Sequence, residues 1–361
     1  MPKVRLQVEW CYLTDKPQYR VPLLSEIREL PWNGLTAVST FSGCGGSSLG
    51  YKMAGMKVAW ASEFVPAAQE TYIQNHPDTL LDKRDIRQVT ASDILDAIGL
   101  KPMLLDVFDG SPPCASFSTS GIGSRGWGVE KNYSGLVQRT DDLFDEYIRL
   151  VDGIRPKVFV AENVSGLIKG ASKGYFVQIM TRLKALGYSV RCKILCAEWL
   201  GVPQARHRAI FIGVRNDLGF RPEYPKPLLY QYSIADALVG VEVREPLSLF
   251  DITRFAIGRE YQRMPRCSKS KRFFNLIRPD IRKPCPTISA TNSVIGAAGV
   301  CHPTEVRKFT IRELVRICGF PDDFILTGTV QQQAERLGRA VPPPMMKHVA
   351  DTIVKQLLGA K

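Results

Sequence analysis

The stretch that most constrains this chain runs from Met103 to Cys114. A short apolar run, Met103–Phe108, follows Pro102 and leads into Asp109-Gly110-Ser111-Pro112-Pro113-Cys114. A run that short, bounded by proline and glycine, predicts a buried strand rather than a helix. The paired prolines stiffen the backbone and remove two N–H donors. Cys114 is therefore expected on a rigid turn at the carboxyl end of a strand, the edge at which open α/β sheets bind their ligands. A thiol there can act as a nucleophile, although alone it is as readily a small buried hydrophobe.

The same pattern recurs. Leu35–Phe41 predicts a strand running into Ser42-Gly43-Cys44-Gly45-Gly46-Ser47-Ser48, and Met56–Ser62 one ending at Glu63. Val158–Ala161 ends at Glu162-Asn163-Val164, and Ser189–Leu195 and Ala209–Val214 predict two more strands. Helical periodicity covers Asp141–Ile154, Tyr175–Leu186, Thr310–Cys318 and Pro342–Leu358, with Thr310 and Glu313 spaced as a capping box. Strands alternating with helices imply an α/β sheet.

Strand, glycine-rich turn and helix start together make a cofactor cradle, because glycines let a ligand approach the backbone and the free helix N–H groups face it. The spacing here is G-x-G-G, with Ser48 where a nicotinamide-binding turn has its last glycine. That disfavours an oxidoreductase. Glu63, 17 residues after Gly46, is placed to accept the ribose hydroxyls of a nucleoside cofactor. Asp85-Ile86 offers a partner for an adenine amino group. Four glycines between Gly121 and Gly128 predict a mobile loop, a candidate lid, that carries Arg125 and leads to Lys131. Alternation over Gln204-Ala205-Arg206-His207-Arg208 puts Gln204, Arg206 and Arg208 on one face.

A net charge of +13 calls for a polyanion partner, most often nucleic acid. The charge is clustered: Arg259 to Lys283 holds nine basic residues against two acidic ones, a net +7, around Phe273-Phe274. No apolar run approaches the ~20 residues of a membrane span, and no apolar segment follows a basic start as in a secretory leader. Nine cysteines without C-x-x-C spacing and only four histidines predict no metal and reduced thiols, hence an intracellular protein. The expected organisation is an extension at residues 1–33, a catalytic and cofactor-binding domain at 34–215, a proline-rich basic lobe at 216–284 and a return to the first domain at 285–361.

Together these pieces resemble the DNA (cytosine-5) methyltransferase family over roughly residues 34–358. The matching stretches, in the family's order, are Phe41-x-Gly43-x-Gly45-Gly46, Glu63, Asp85, Pro112-Pro113-Cys114 with Phe117-Ser118, Glu162-Asn163-Val164, Gln204-x-Arg206-x-Arg208, Gly319-Phe320-Pro321 and Gly338-x-Ala340-Val341-Pro342. The resemblance implies a Rossmann-like S-adenosylmethionine-dependent methyltransferase sheet with a smaller target-recognition lobe, acting as a monomer on double-stranded DNA. It makes Cys114 the nucleophile toward carbon 6 of a flipped-out cytosine and Glu162 its partner at N3. Arg206 and Arg208 would orient the base. Phe41, Gly43, Gly45, Gly46, Glu63, Asp85, Ile86, Pro112, Arg339, Ala340 and Val341 would line S-adenosylmethionine. Ser118, Arg125, Lys131, Arg266, Lys269, Lys271 and Arg272 would face DNA.

Two positions depart from the family pattern. Ala115 replaces the usual Gln after the nucleophile, and Arg339 replaces the Asn of Gly-Asn-Ala-Val-Pro. A cation at 339, beside a sulfonium, needs a negative partner. That partner is either a phosphate or carboxylate such as Glu162, or the carboxylate of carboxy-S-adenosylmethionine, which would make the product 5-carboxymethylcytosine. Other readings are a catalytically inactive DNA-binding module and an RNA cytosine-5 methyltransferase, whose Cys-Phe-Thr tripeptide is absent from the basic lobe.

Overall fold

The computed structural model describes residues 16–113, 131–133, 136–138, 142–168 and 173–359. Seven strands form the central sheet: β1 Thr36–Thr40, β2 Lys57–Ser62, β3 Leu80–Asp82, β4 Val107–Gly110, β5 Val158–Val164, β6 Tyr188–Cys196 and β7 His207–Arg215. Their order across the sheet is β3-β2-β1-β4-β5-β7-β6. The pairs from β3 to β5 are parallel, whereas β7 runs antiparallel to both β5 and β6. The fold is thus α/β, with a mostly parallel sheet that reverses order at β1 and β4.

Both faces of the sheet are covered, as a parallel sheet requires. On one face Val38, Trp60, Phe108, Phe159 and Phe211 pack under α3 (Ala91–Ile98), α4 (Leu143–Ile154) and α5 (Lys173–Ala185). On the other, Ala37, Val58, Val107, Val160, Ile210 and Ile212 meet α1 (Gly46–Met53) and the C-terminal helix α9 (Pro343–Gly359), while α2 (Pro66–Asn75) connects β2 to β3. Alternating residues of one strand, such as Ala37 and Val38, serve opposite cores. Gly50 lets α1 and α9 touch, since a Cβ there would lie 2.6 Å from the Met346 Cβ.

Two expectations require correction. The strand after Pro102 begins only at Val107. Met103 adopts φ +72° and is exposed, as is Leu104, so the front of that apolar run is a turn. A helix, α8 (Val330–Arg339), precedes the last one where no helix is expected; Thr329 caps it with Gln332 in a capping box. The box at Thr310 and Glu313 forms as expected and opens α7 (Ile311–Ile317).

Away from the sheet, Ile252, Ile257, Tyr261, Met264, Leu276 and Cys301 form a small core of their own. It includes α6 (Ala256–Arg263) and the antiparallel pair Ser268–Lys269 with Ile277–Arg278. No helix among the described residues is long and apolar enough to cross a membrane.

Candidate active site

The strand ends bring most of the singled-out residues to one edge. After β1 the backbone turns through left-handed residues: Phe41 at φ +53°, Gly43 at +56° and Gly45 at +89°. A non-glycine residue in that region stores about 1–3 kcal/mol, a strain concentrated at functional sites. The glycines meet distinct needs. A Cβ at Gly45 would lie 2.1 Å from the His76 Nε2, and one at Gly46 would lie 2.1 Å from the Val341 carbonyl oxygen. At Gly43 a Cβ would stand in open space, so the turn leaves room there for a ligand to approach. Ser48, in the position of the missing glycine, accepts a hydrogen bond from the Tyr72 hydroxyl at 2.9 Å.

Glu63, at the end of β2, binds this turn directly. Its Oε2 accepts the Gly43 N–H at 2.7 Å and its Oε1 the Val65 N–H at 2.7 Å. Burial pushes the Glu63 carboxyl above its ordinary range, while these N–H groups and the charge of Arg339 pull it back. Asp85 is engaged locally: it caps the turn Ile86–Gln88 through the Arg87 N–H and pairs with the Arg87 guanidinium at 3.0 Å. Ile86 is buried beside it.

The second half of the edge lies on β4, β5 and β7. Gly110 pairs with Ala161, so Pro112, just past the end of β4, and Glu162, near the end of β5, lie on adjacent strands. Asn163 donates to the Pro112 carbonyl at 3.1 Å, anchoring the chain two residues before Cys114. Cys114, Ser118 and Arg125 lie outside the described residues; Lys131 opens the short strand Lys131–Tyr133, of which only the backbone is described. Glu162 is met across the β5–β7 pair by Arg208, Nε to Oε1 at 2.7 Å, both side chains largely buried. Arg206, 2% exposed, has other partners. It donates to the carbonyls of Ile288 at 3.1 Å, Gly338 at 3.0 Å and Arg339 at 3.1 Å. Burial strips this guanidinium of water, and the three carbonyls replace it. Gln204 works beside it, its amide oxygen taking the Ile288 N–H at 3.3 Å.

Arg339 ends α8. It pairs with Glu335, one turn back, at 2.8–2.9 Å, whereas Glu162 is held by Arg208. Ala340 follows as the C-cap, its N–H bonded to the Arg336 carbonyl at 2.9 Å.

Two residues that the sequence reading names without giving them a role also contribute. One is Asn163. The other is Asp109, 1% exposed at the end of β4, on which Ser47 (2.6 Å), Ser39 (3.0 Å) and Tyr51 (3.2 Å) converge with their hydroxyls. A carboxylate closing an apolar strand, with serines beside the glycine turn, is the signal that would have found it. The basic residues Arg266, Lys269, Lys271 and Arg272 are all exposed around the Ser268–Lys269 and Ile277–Arg278 pair. Arg272 lies over the Phe273 ring at 5.2 Å, and Phe274 is 78% exposed.

Comparison with known proteins identifies the family. A model of the C-5 cytosine-specific DNA methylase family matches residues 35–355. The type II methyltransferase M1.HphI of Haemophilus parahaemolyticus is 30% identical over 338 residues, covering 89% of this chain and 87% of that protein. M.NgoFVII of Neisseria gonorrhoeae is 31% identical over 341 residues, covering 88% of this chain and 86% of that protein. Among solved structures, that of Schizosaccharomyces pombe Dnmt2 methyltransferase superposes with a TM-score of 0.63 at 19% identity, over 90% of this chain and 99% of the other, a likeness of fold. Matched by that family model from residue 35 to residue 355, the chain belongs to the C-5 cytosine-specific DNA methylase family and is a DNA (cytosine-5-) methyltransferase.

Proposed function

We propose that this enzyme methylates a cytosine flipped out of double-stranded DNA, with Cys114 as nucleophile, Glu162 and Arg208 on the base and S-adenosylmethionine in the glycine turn. The observation that carries this is the convergence of Glu162, Arg208 and the anchored Pro112 at the edge that also holds Glu63 and Gly43. The turn fits a nucleoside sulfonium. Gly43 opens onto free space, and Glu63 has carboxylate lone pairs beyond the two N–H groups it already accepts. Phe41, Gly45, Gly46, Pro112, Ala340 and Val341 would complete the lining, with Asp85 and Ile86 beyond them. When bound, S-adenosylmethionine supplies the electrophilic methyl group that carbon 5 takes up.

The chain's own residues do the rest. Cys114, as thiolate, forms a bond to carbon 6, and the ring's electron density moves to carbon 5 and N3. Glu162 holds N3 and the exocyclic amine and relieves the developing charge there. Arg208 fixes the Glu162 carboxylate in place. Arg206 is a positioning residue, holding the 338–339 backbone against the strand that carries Arg208. After alkylation, loss of the carbon 5 proton expels the Cys114 thiolate and restores aromaticity. The lobe read as residues 216–284 would lie on DNA through Arg266, Lys269, Lys271 and Arg272, with Ser118, Arg125 and Lys131 closing from the loop after Cys114. Duplex DNA carrying 5-fluorocytosine tests the assignment, since fluorine cannot leave as a cation and traps the adduct. Native enzyme should be trapped, and Cys114→Ala should bind DNA without trapping. Turnover by Cys114→Ala overturns the assignment.

Arg339 supports a second reading, transfer of a carboxymethyl group from carboxy-S-adenosylmethionine. Its charge favours the ionised Glu63 carboxylate of the cofactor turn. Against it stands Glu335, which already supplies Arg339 with a carboxylate. The two cofactors offered in competition, to native enzyme and to Arg339→Asn, decide by the mass of the modified nucleoside. Exclusive methyl transfer by the native enzyme, with no gain in Arg339→Asn, eliminates the carboxymethyl reading.

A further inference from the structure

On the face of the β6–β7 pair away from Arg206 and Arg208, three side chains from separate stretches meet. Cys196 closes β6 and lies directly opposite His207, the first residue of β7, in the antiparallel register. Side chains of directly opposed residues stand on the same face of the sheet. The turn Ala197–Trp199 then brings Glu198 over the pair. The Cys196 thiol, a Glu198 carboxylate oxygen and a His207 ring nitrogen lie within 4.8 Å of one another. Glu198 Oε1 meets His207 Nε2 at 2.9 Å. Glu198 Oε2 is buried with no hydrogen-bond partner among the described residues, in a side chain whose residue is only 8% exposed. A buried carboxylate oxygen without a partner is costly and calls for a cation or a donor. His207 is half-exposed, so the cluster opens to solvent on one side.

We propose that Cys196, Glu198 and His207 bind one Zn2+ ion, with a solvent molecule as the fourth ligand. The donor set is one sulfur, one nitrogen and one carboxylate oxygen, which a borderline-soft ion with no strong geometric preference accepts in tetrahedral arrangement. The hard oxygen-seeking ions Mg2+ and Ca2+ have no use for a thiolate. Binding replaces the Cys196 S–H bond with a sulfur–zinc bond and releases one proton; no electron moves. The Glu198–His207 hydrogen bond gives way to two metal bonds, and Glu198 Oε2 gains a positive neighbour. The ion would tie the end of β6 to the start of β7, the strand whose next residue, Arg208, holds Glu162. The site is independent of the reaction assigned above, and its test does not use methyl transfer.

The test uses the full-length enzyme under reducing conditions, stripped with a chelator. Titration with Co2+ should show one equivalent bound, with a thiolate-to-cobalt charge-transfer band. Zn2+ should displace it and raise the melting temperature. Cys196→Ser should abolish the band. Cys196→Ser, Glu198→Gln and His207→Ala should each lower Zn2+ affinity by more than about 100-fold, beyond the loss from a missing supporting hydrogen bond. His207 is half-exposed and its replacement should leave the fold intact, which circular dichroism checks. A band that survives in Cys196→Ser places the metal on another thiol, such as the exposed Cys267, and overturns the proposal. Failure of the native protein to take up an equivalent of either ion also overturns it, leaving Glu198 and His207 an ordinary ion pair.

Discussion

Asp109→Asn gives the most quantitative check on how the buried edge of the sheet is built. Burial pushes the Asp109 carboxyl from its ordinary 3.8 up to about 7, against the opposing pull of the Ser47, Ser39 and Tyr51 hydroxyls; the nearby Glu162 charge adds to the rise. Between those two values the folded protein keeps a proton that the unfolded chain has released. Stability contributed by the protonated carboxyl is therefore present below pH 3.8 and lost as pH rises toward about 7. At roughly 1.4 kcal/mol per pH unit, this one group lowers the unfolding free energy by about 4 kcal/mol across the interval. Asn has nearly the same shape and no charge. Its amide oxygen can accept from Ser47 and Ser39, and its amide nitrogen can donate to the Tyr51 hydroxyl. Urea unfolding of native protein and Asp109→Asn, followed by tryptophan fluorescence at a series of pH values, isolates the effect because all other carboxyls cancel in the difference. The native-minus-variant stability should fall by about 3 kcal/mol between pH 4.5 and 7.5. Parallel pH curves for the two proteins would refute the account and show that Asp109 is ionised throughout, its three hydroxyl donors outweighing burial.

Other changes probe the rest of the edge. Gly46→Ala would press a Cβ to 2.1 Å from the Val341 carbonyl, so the turn must shift; a loss of about 1–3 kcal/mol in thermal unfolding and weaker S-adenosylmethionine binding by calorimetry are expected, and an unperturbed melt would contradict the packing. Arg206→Lys cannot reach the carbonyls of Ile288, Gly338 and Arg339 at once. It should lose about 2–4 kcal/mol in denaturant unfolding, and native-like stability would show that the three bonds carry little. Replacing Lys269, Lys271 and Arg272 together with Ala should flatten the dependence of log K for duplex DNA on log[salt] by up to about three units, measured by fluorescence anisotropy; an unchanged slope would mean that this face does not meet phosphate.

What the sequence by itself determined is local. Short apolar runs ending in Gly43, Glu63, Pro112 and Glu162 suffice to specify buried strands with polar carboxyl ends, because strand length, β-branching and glycine or proline stops are written in neighbouring residues. The same locality makes Thr310 and Glu313 legible as a cap. Tertiary structure decided the partners. The Met103–Phe108 run begins as an exposed turn because the sheet takes up the chain only at Val107, and Asp106 is drawn off to the Thr36 N–H and Lys157. Gln204, Arg206 and Arg208 have one spacing but different destinations, since Arg206 finds three carbonyls from residues 288–339 while Arg208 finds Glu162. Arg339 pairs within its own helix because α8, not expected from the pattern, puts Glu335 one turn below it. The Cys196, Glu198 and His207 cluster could not be read from spacing at all, because the β6–β7 register, set by burial of Phe211 and Ile212 on opposite faces, is what sets Cys196 across from His207.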